Sequence, residues 1–556
     1  MANKEDGIND VQAQEGRSPS KRLVTNVPRL DFITKGGLIQ GSSYAIIGPP
    51  GSGKTVLANQ IAFQHVRNGG KALYVTLLSE SHGRMLENLS QMKFFDASAI
   101  PDRLQYLSAY RDLEKEGLKG LLDLVRKHAQ PHGATLLIID GMDAAKEFAR
   151  SDLSFKRFLQ DLQTFCNILG CTSLLLAPHH EGEIHPENTA VDGIFELSLW
   201  LHGPRAVREL IAIKFRGGPS LLGRHEVEIS DEGMVIHPRT EVQFAHPAAE
   251  GREDRIRMPF GIPRLDDAMR GGLLSGSTSL LLGAPGTGKT LLGLRFLLEG
   301  ARAGQPGFYF GFFETPPRLI EKALGTGMKD FKKYVDEGLI EIQWQPPLEH
   351  NLDSLAERLL ERIDARKADR LRLFIDGVAG FRSAAVYPDR MGRFFSALTH
   401  QLRMMDVTTL YSDETPLFSP GVDMPQPEAA STVENVILLR YVELRSQLYR
   451  LLSIMKMRES AYDSSIREFS ICEDGITVAD TFESAESILT GHARMTSRGA
   501  TAGLGRKSAL DAPLGAKKAK APKAKAPKAK APKAKAPKAK APKSRPRTGA
   551  ARRGRA

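Results

Sequence analysis

Short, continuous apolar runs alternate with segments of helical period along most of this chain. YAIIG (44–48), ALYVTLL (72–78), TLLIID (135–140) and TSLLLA (172–177) are rich in Leu and β-branched residues. They read as strands buried on both faces. Between them, LANQIAFQHVRN (57–68) and DLSFKRFLQDLQTF (152–165) space their apolar residues as amphipathic helices do. Buried strands separated by helices predict an α/β fold on a mostly parallel sheet.

The pattern then occurs again. VPRLDFITKGGLIQGSSYAIIGPPGSGKT (27–55) aligns without gaps on IPRLDDAMRGGLLSGSTSLLLGAPGTGKT (262–290), with 15 of 29 positions identical at an offset of 235. LLIIDG (136–141) answers LFIDG (373–377), and IKFRG (213–217) answers MKMRE (455–459). HEVEISDEGMVI and REFSICEDGITV follow in turn. A duplicated domain explains this order. The join is predicted in the Pro-, Ala- and charge-rich HPAAEGREDR, 246–255.

Composition sharpens the picture in two places. Of 77 basic and 65 acidic residues, 19 basic and one acidic (Asp511) lie from Arg506 onward. That tail therefore carries +18, and residues 1–505 carry −6. A mildly acidic body argues against a broad nucleic-acid surface there. The three cysteines, Cys166, Cys171 and Cys472, lack CxxC spacing, which points to a reducing cytoplasm and away from a disulfide framework or zinc site. Residues 1–22 are polar, without the apolar core of a secretory signal, and no apolar run approaches the roughly 18 residues of a membrane span.

Gly48-Pro-Pro-Gly51-Ser-Gly53-Lys54-Thr55 and Gly283-Ala-Pro-Gly286-Thr-Gly288-Lys289-Thr290 both match GxxxxGK(S/T). Glycines let backbone N–H groups curl around phosphate at the positive end of the following helix. Lys54 and Lys289 are placed for the β- and γ-phosphates of ATP, and Thr55 and Thr290 for Mg²⁺. A chance Gly-rich turn is the alternative, and two full matches between an apolar run and a helical one count against it. Asp140 and Asp376 end apolar runs, where a carboxylate can hold Mg²⁺ through water; a turn-capping Asp is the other reading. Glu314, about 24 residues beyond Thr290, is the best candidate for a base that orients water. Ser79 falls opposite it in the first copy. Glu80, one residue on, serves only if a bulge shifts the chain, and otherwise is a solvated acid or helix cap.

Together these residues resemble the KaiC family, double-domain RecA-type ATPases of the cyanobacterial clock and its non-clock bacterial relatives. The resemblance covers about residues 23–490. It rests on the RLD…GG leader before each P-loop, the FETP segment, the KxRG-like strands and the EISDEG or SICEDG endings. It implies two tandem RecA-like P-loop domains with mostly parallel sheets, over 23–247 and 256–490. They are flanked by a disordered N-terminus (1–22) and a disordered Lys/Ala/Pro-rich tail (491–556). It further implies a homohexameric ring with ATP at subunit interfaces. Lys214, Arg216, Lys456 and Arg458 would then approach the neighbour's nucleotide as cations supplied in trans; sequence chemistry alone reads them as a basic edge strand.

Several positions depart from the family pattern. Phe313 stands where the family often has a first Glu, Gly141 and Gly377 replace a frequent Ser, and Glu459 replaces the Gly of KxRG. Ser431 and Thr432 look comparable to the clock protein's phosphorylated pair, one residue out of register, so autophosphorylation is an expectation to test. His179, His180, Glu183 and His185 cluster after one strand; a polar loop explains them more simply than a metal site. The AKAPK-repeat tail resembles linker-histone-like basic tails. It would tether nucleic acid through salt-sensitive phosphate contacts, or merely keep the chain soluble.

The expected function is a ring-forming regulatory ATPase, with regulatory protein partners that the sequence does not identify. Two other readings are a DNA-dependent motor or recombination factor of the RecA, RadA or DnaB kind, and a scaffold that uses ATP only to assemble. ATP binding is expected at both sites, with faster chemistry at the second.

Overall fold

The computed structural model describes residues 21–77, 82–179, 190–245, 254–346, 350–366, 370–417, 432–444 and 447–479. In the first half the strands are β1 (Ser43–Ile47), β2 (Ala72–Thr76), β3 (Leu104–Ser108), β4 (Leu136–Asp140), β5 (Thr172–Ala177), β6 (Gly193–His202), β7 (Arg205–Phe215), β8 (His225–Ser230) and β9 (Gly233–His237). They form one sheet of order β9-β8-β7-β6-β1-β5-β4-β2-β3. The six strands from β6 to β3 run parallel, and β6 to β9 continue as an antiparallel meander. Sequence periodicity foresaw the parallel part; the meander extends it.

The second half repeats this order. Its strands are β10 (Thr278–Gly283), β11 (Gly307–Gly311), β12 (Ile340–Trp344), β13 (Arg372–Asp376), β14 (Thr408–Glu414), β15 (Asn435–Leu444), β16 (Gln447–Met457), β17 (Arg467–Cys472) and β18 (Gly475–Val478). The sheet runs β12-β11-β13-β14-β10-β15-β16-β17-β18, the same topology strand for strand. Two tandem RecA-like α/β domains with mostly parallel sheets are therefore present.

The inner parallel strands are mainly apolar because both of their faces are covered, whereas the edge strands β3 and β12 carry polar residues and are only partly buried. In β1, Ile46 belongs to a core with Leu57, Ile61, Phe63, Tyr74 and Ile138, while Ala45 and Ile47 turn to the opposite core with Leu73, Ile139, Leu159 and Leu162. This alternation follows from the two-residue period of a strand. Helix α1 (Lys54–Arg67) follows the first P-loop directly. Helix α2 (Asp152–Leu169) is bounded by a reciprocal Ser151–Ser154 capping box and by left-handed Gly170 (φ 66°). No helix among the described residues is long and apolar enough to cross a membrane.

The halves meet through buried charge. Helix α3 (Leu352–Arg366) of the second half lies against β8 and β9 of the first. Asp353 Oδ1 accepts from Thr240 N and Oγ1 at 2.9 Å each. Arg390 bonds Asp353 at 2.9 Å and Glu241 at 2.8 Å. His237 sits between Glu357, 2.6 Å from Nδ1, and Glu228, 3.7 Å from Nε2. Arg29 backs Glu357 at 2.9 Å, and Arg358 backs Glu228 at 3.8 Å. Burial opposes a charge on His237, but the two carboxylates outweigh it and lift its pKa to about 9.

A pH dependence follows from that shift. A histidine raised from about 6.5 to about 9 contributes stability that is fully present below pH 6.5 and lost as pH rises through 9. Between those limits the wild-type chain is expected to lose on the order of 3 kcal/mol relative to His237→Gln. Urea denaturation of both chains at pH 6.5 and 9.5 checks this; parallel losses would contradict it.

Candidate functional site

Both P-loops lie where strand topology puts a ligand, at the carboxyl ends of parallel strands. The first follows β1 and the second follows β10, each leading into a helix: α1, and the helix Lys289–Arg302. The turns demand glycine. Gly51 and Gly53 have φ 78° and 104°, and Gly286 and Gly288 have φ 79° and 106°. A Cβ on Gly53 would also sit 2.7 Å from Ile229 and Met234, and one on Gly288 would sit 2.6 Å from Ile471.

In the first cleft, of about 520 Å³, Lys54 Nζ donates to the carbonyls of Gly48 (2.7 Å) and Pro49 (3.0 Å). Thr55 Oγ1 donates to Asp140 Oδ2 at 3.1 Å, and Tyr74 donates to the same oxygen at 2.7 Å. The second cleft, of about 440 Å³, repeats this set. Lys289 Nζ meets Gly283 O at 2.8 Å and Ala284 O at 3.0 Å, while Thr290 and Tyr309 each reach Asp376 Oδ2 at 2.9 Å. Ser412 adds a third donor, 2.7 Å from Asp376 Oδ1, and its own Oγ accepts from Gly377 N at 2.8 Å. Leu176 occupies the matching place in β5. Burial raises Asp140 and Asp376 above the usual carboxylate range and lowers Lys54 and Lys289.

Glu314 lines the second cleft with Asp376 and pairs with Lys322. Phe313, largely exposed, covers Gly377: a Cβ there would lie 2.6 Å from its ring. Glu80 lies outside the described residues, as do Ser431, His180, Glu183 and His185. His179 lies 3.9 Å from Glu196. Among the described residues, no group of three or more His, Cys, Asp or Glu could hold a metal ion by itself.

Lys214, Arg216, Lys456 and Arg458 are not brought to their own chain's clefts. Lys214 pairs with Ile194, level with Ala45 in the middle of β1, and its side chain runs back to donate to Val191 O, ahead of β6, at 2.5 Å. Lys456 likewise reaches Val433 O at 2.7 Å. Thr432 precedes β15 at that same end of the second sheet.

Sequence reading missed two pairs of residues. Tyr74 and Tyr309 occupy one repeat position and hold the strand-end Asp. Arg208 and Arg450, six residues before Lys214 and Lys456, stand on the rims of the clefts, each Nε 3.4 Å from a P-loop carbonyl, Gly51 or Gly286. Tyr441 supports Arg450, its OH 2.7 Å from Gly286 O and its ring 5.5 Å beneath the guanidinium. Recurrence in both copies was the available signal: Tyr74 and Tyr309 lie 235 apart, and Arg208 and Arg450 lie 242 apart, as Lys214 and Lys456 do.

The family model described as ATPase: KaiC matches residues 23–241 and again 258–483. The chain is 27% identical over 491 residues to the circadian clock oscillator protein KaiC of Rippkaea orientalis, covering 85% of this chain and 91% of the relative. It is 27% identical to the circadian clock protein KaiC3 of Synechocystis sp. (85% and 94% covered) and 25% identical to KaiC of Synechococcus elongatus (84% and 91%). With both halves matched over nearly their full length, the chain belongs to the KaiC family of ATPases.

Proposed function

We propose that this ATPase binds ATP at both clefts, hydrolyses it faster at the second, and acts as a cytoplasmic, ring-forming regulatory switch. The observation that carries the reading is the repeated set of a P-loop Lys and Thr beside a largely buried Asp that ends a second strand, β4 or β13. Its domains are taken as 23–247 and 256–490.

The residues fit a magnesium nucleotide. Thr55 with Asp140, and Thr290 with Asp376, set hard oxygen donors side by side, the chemistry Mg²⁺ prefers. When bound, Mg²⁺ supplies positive charge to the phosphate oxygens. Lys54 and Lys289, now turned onto loop carbonyls, would exchange those for phosphate. Burial penalises both the ammonium and the carboxylate charges, so a charged ligand relieves both. Backbone N–H groups of the loops cradle the phosphates, and Arg208 and Arg450 add cations on the rims. Glu314 orients the attacking water in the second cleft. The first cleft depends on Glu80, and its Asp140 accepts two hydroxyls where Asp376 accepts three.

Assembly is the second part of the proposal. Lys214, Arg216, Lys456, Arg458 and Thr432 lie at the sheet ends opposite their own P-loops. In a head-to-tail hexamer that end meets the neighbour's nucleotide, which supports cations acting in trans and phosphate transfer between chains to Ser431 or Thr432. The tail from 506 onward would tether the ring to nucleic acid.

Replacing both Lys54 and Lys289 by Ala is expected to reduce ATP turnover to background; persistent turnover would refute the two-cleft reading. Light scattering should show a sixfold mass with ATP, and a monomer would remove the ring. Incubation with γ-labelled ATP and mass spectrometry should place phosphate on Ser431 or Thr432; absence from both sinks the kinase. Deleting 506–556 should abolish low-salt DNA retention, and unchanged retention refutes the tether.

A further inference from the structure

Glu314 has a cationic companion. Lys322, on the helix Pro316–Leu324, brings its ammonium onto Glu314 Oε1. The side chains are 39% and 26% exposed, and both line the second cleft with Lys289, Asp376 and Glu414. Pro316 and Pro317 start that helix immediately after the strand-end segment. Their fixed φ defines its first turn, so Lys322, two turns on, has a set approach to Glu314. At the repeat offset of 235, Lys322 corresponds to Glu87, which is exposed on the helix His82–Leu89. The first copy therefore carries the opposite charge at this position.

We propose that Lys322 is a positioning residue for hydrolysis in the second cleft, fixing the direction of the Glu314 carboxylate that orients the attacking water. This rests on reading Glu314 as the base. A partly exposed ion pair adds little to stability. Its effect is geometric: a carboxylate on a cleft wall has several rotamers, and an ammonium in contact selects one. Misplacement of a catalytic group by about 1 Å can cost on the order of 100-fold in rate. Asp376 and Glu414 face the same space with like charge and would repel Glu314 once Lys322 is gone, while Lys289 is committed to the P-loop.

The test uses the full chain with Lys322→Met, Lys322→Arg, Glu314→Gln and the double variant Glu314→Gln with Lys322→Met. Lys322→Met is expected to lower kcat about tenfold with KM for ATP within about twofold. Lys322→Arg should restore most of kcat, and Lys322→Met should have no further effect beside Glu314→Gln. Unchanged kcat in Lys322→Met overturns the proposal. A raised KM at constant kcat also overturns it, because Lys322 would then bind phosphate directly. Equal losses with and without Glu314 overturn it as well. If Glu314→Gln alone turns over like wild type, the base reading fails. If Glu314→Gln is slow and Lys322→Met is not, only the role of Lys322 fails.

Discussion

Glu314→Gln is expected to lower turnover at the second cleft by about 10²–10³-fold while leaving ATP affinity nearly unchanged. Gln keeps the size and a hydrogen-bonding oxygen but cannot take a proton, so the loss falls on the chemical step. Affinity should survive because, under the proposed function, Lys289, Thr290 and the P-loop backbone would hold phosphate independently of Glu314. Turnover at the first cleft would then set the residual rate expected of the whole chain. Steady-state kcat beside nucleotide affinity checks this, and equal rates for variant and wild type would remove Glu314 as the base.

Arg390→Ala is expected to cost about 3–5 kcal/mol, the range for stripping one partner from a buried charge pair. The Arg390 side chain is 12% exposed, and it faces Asp353 (0%), Glu226 (5%) and Glu241 (8%). Glu226 is pushed up to about 8 by burial and then by the charge of Asp353, so the site already strains to hold its negative charge. Without the guanidinium, three carboxylates share a space that admits little water. Because Thr240 and Glu241 lie in the first half and Asp353 in the second, the halves should also unfold in separate steps. Urea denaturation followed by fluorescence and circular dichroism checks both outcomes; one shared transition displaced by less than about 1 kcal/mol would contradict them.

The P-loops were legible in the sequence because their glycines answer backbone constraints that admit little else, as the left-handed φ of Gly53 and Gly288 shows. Asp140 and Asp376 were legible because each closes an unbroken apolar run, residues 136–139 or 373–375. What escaped notice depended on residues distant in sequence. Tyr74 lies 66 positions from Asp140, and Thr240 lies 113 from Asp353; neither has a local pattern to mark it. Arg208 and Arg450 belong to the antiparallel meander, whose alternating strands carry a weaker signal than the parallel ones. Phe313 and Gly377 looked like separate departures from the family pattern. They are in contact, since a side chain at 377 would collide with the Phe313 ring.

Under the proposed function the two like clefts are unequal engines. ATP turnover by Lys54→Ala and by Lys289→Ala, each compared with wild type in the same assay, separates their contributions. The expected result is that Lys289→Ala loses most of the turnover and Lys54→Ala keeps most of it. The opposite order, or equal halves, would contradict the assignment of the faster chemistry to the cleft of Lys289, Thr290, Glu314 and Asp376.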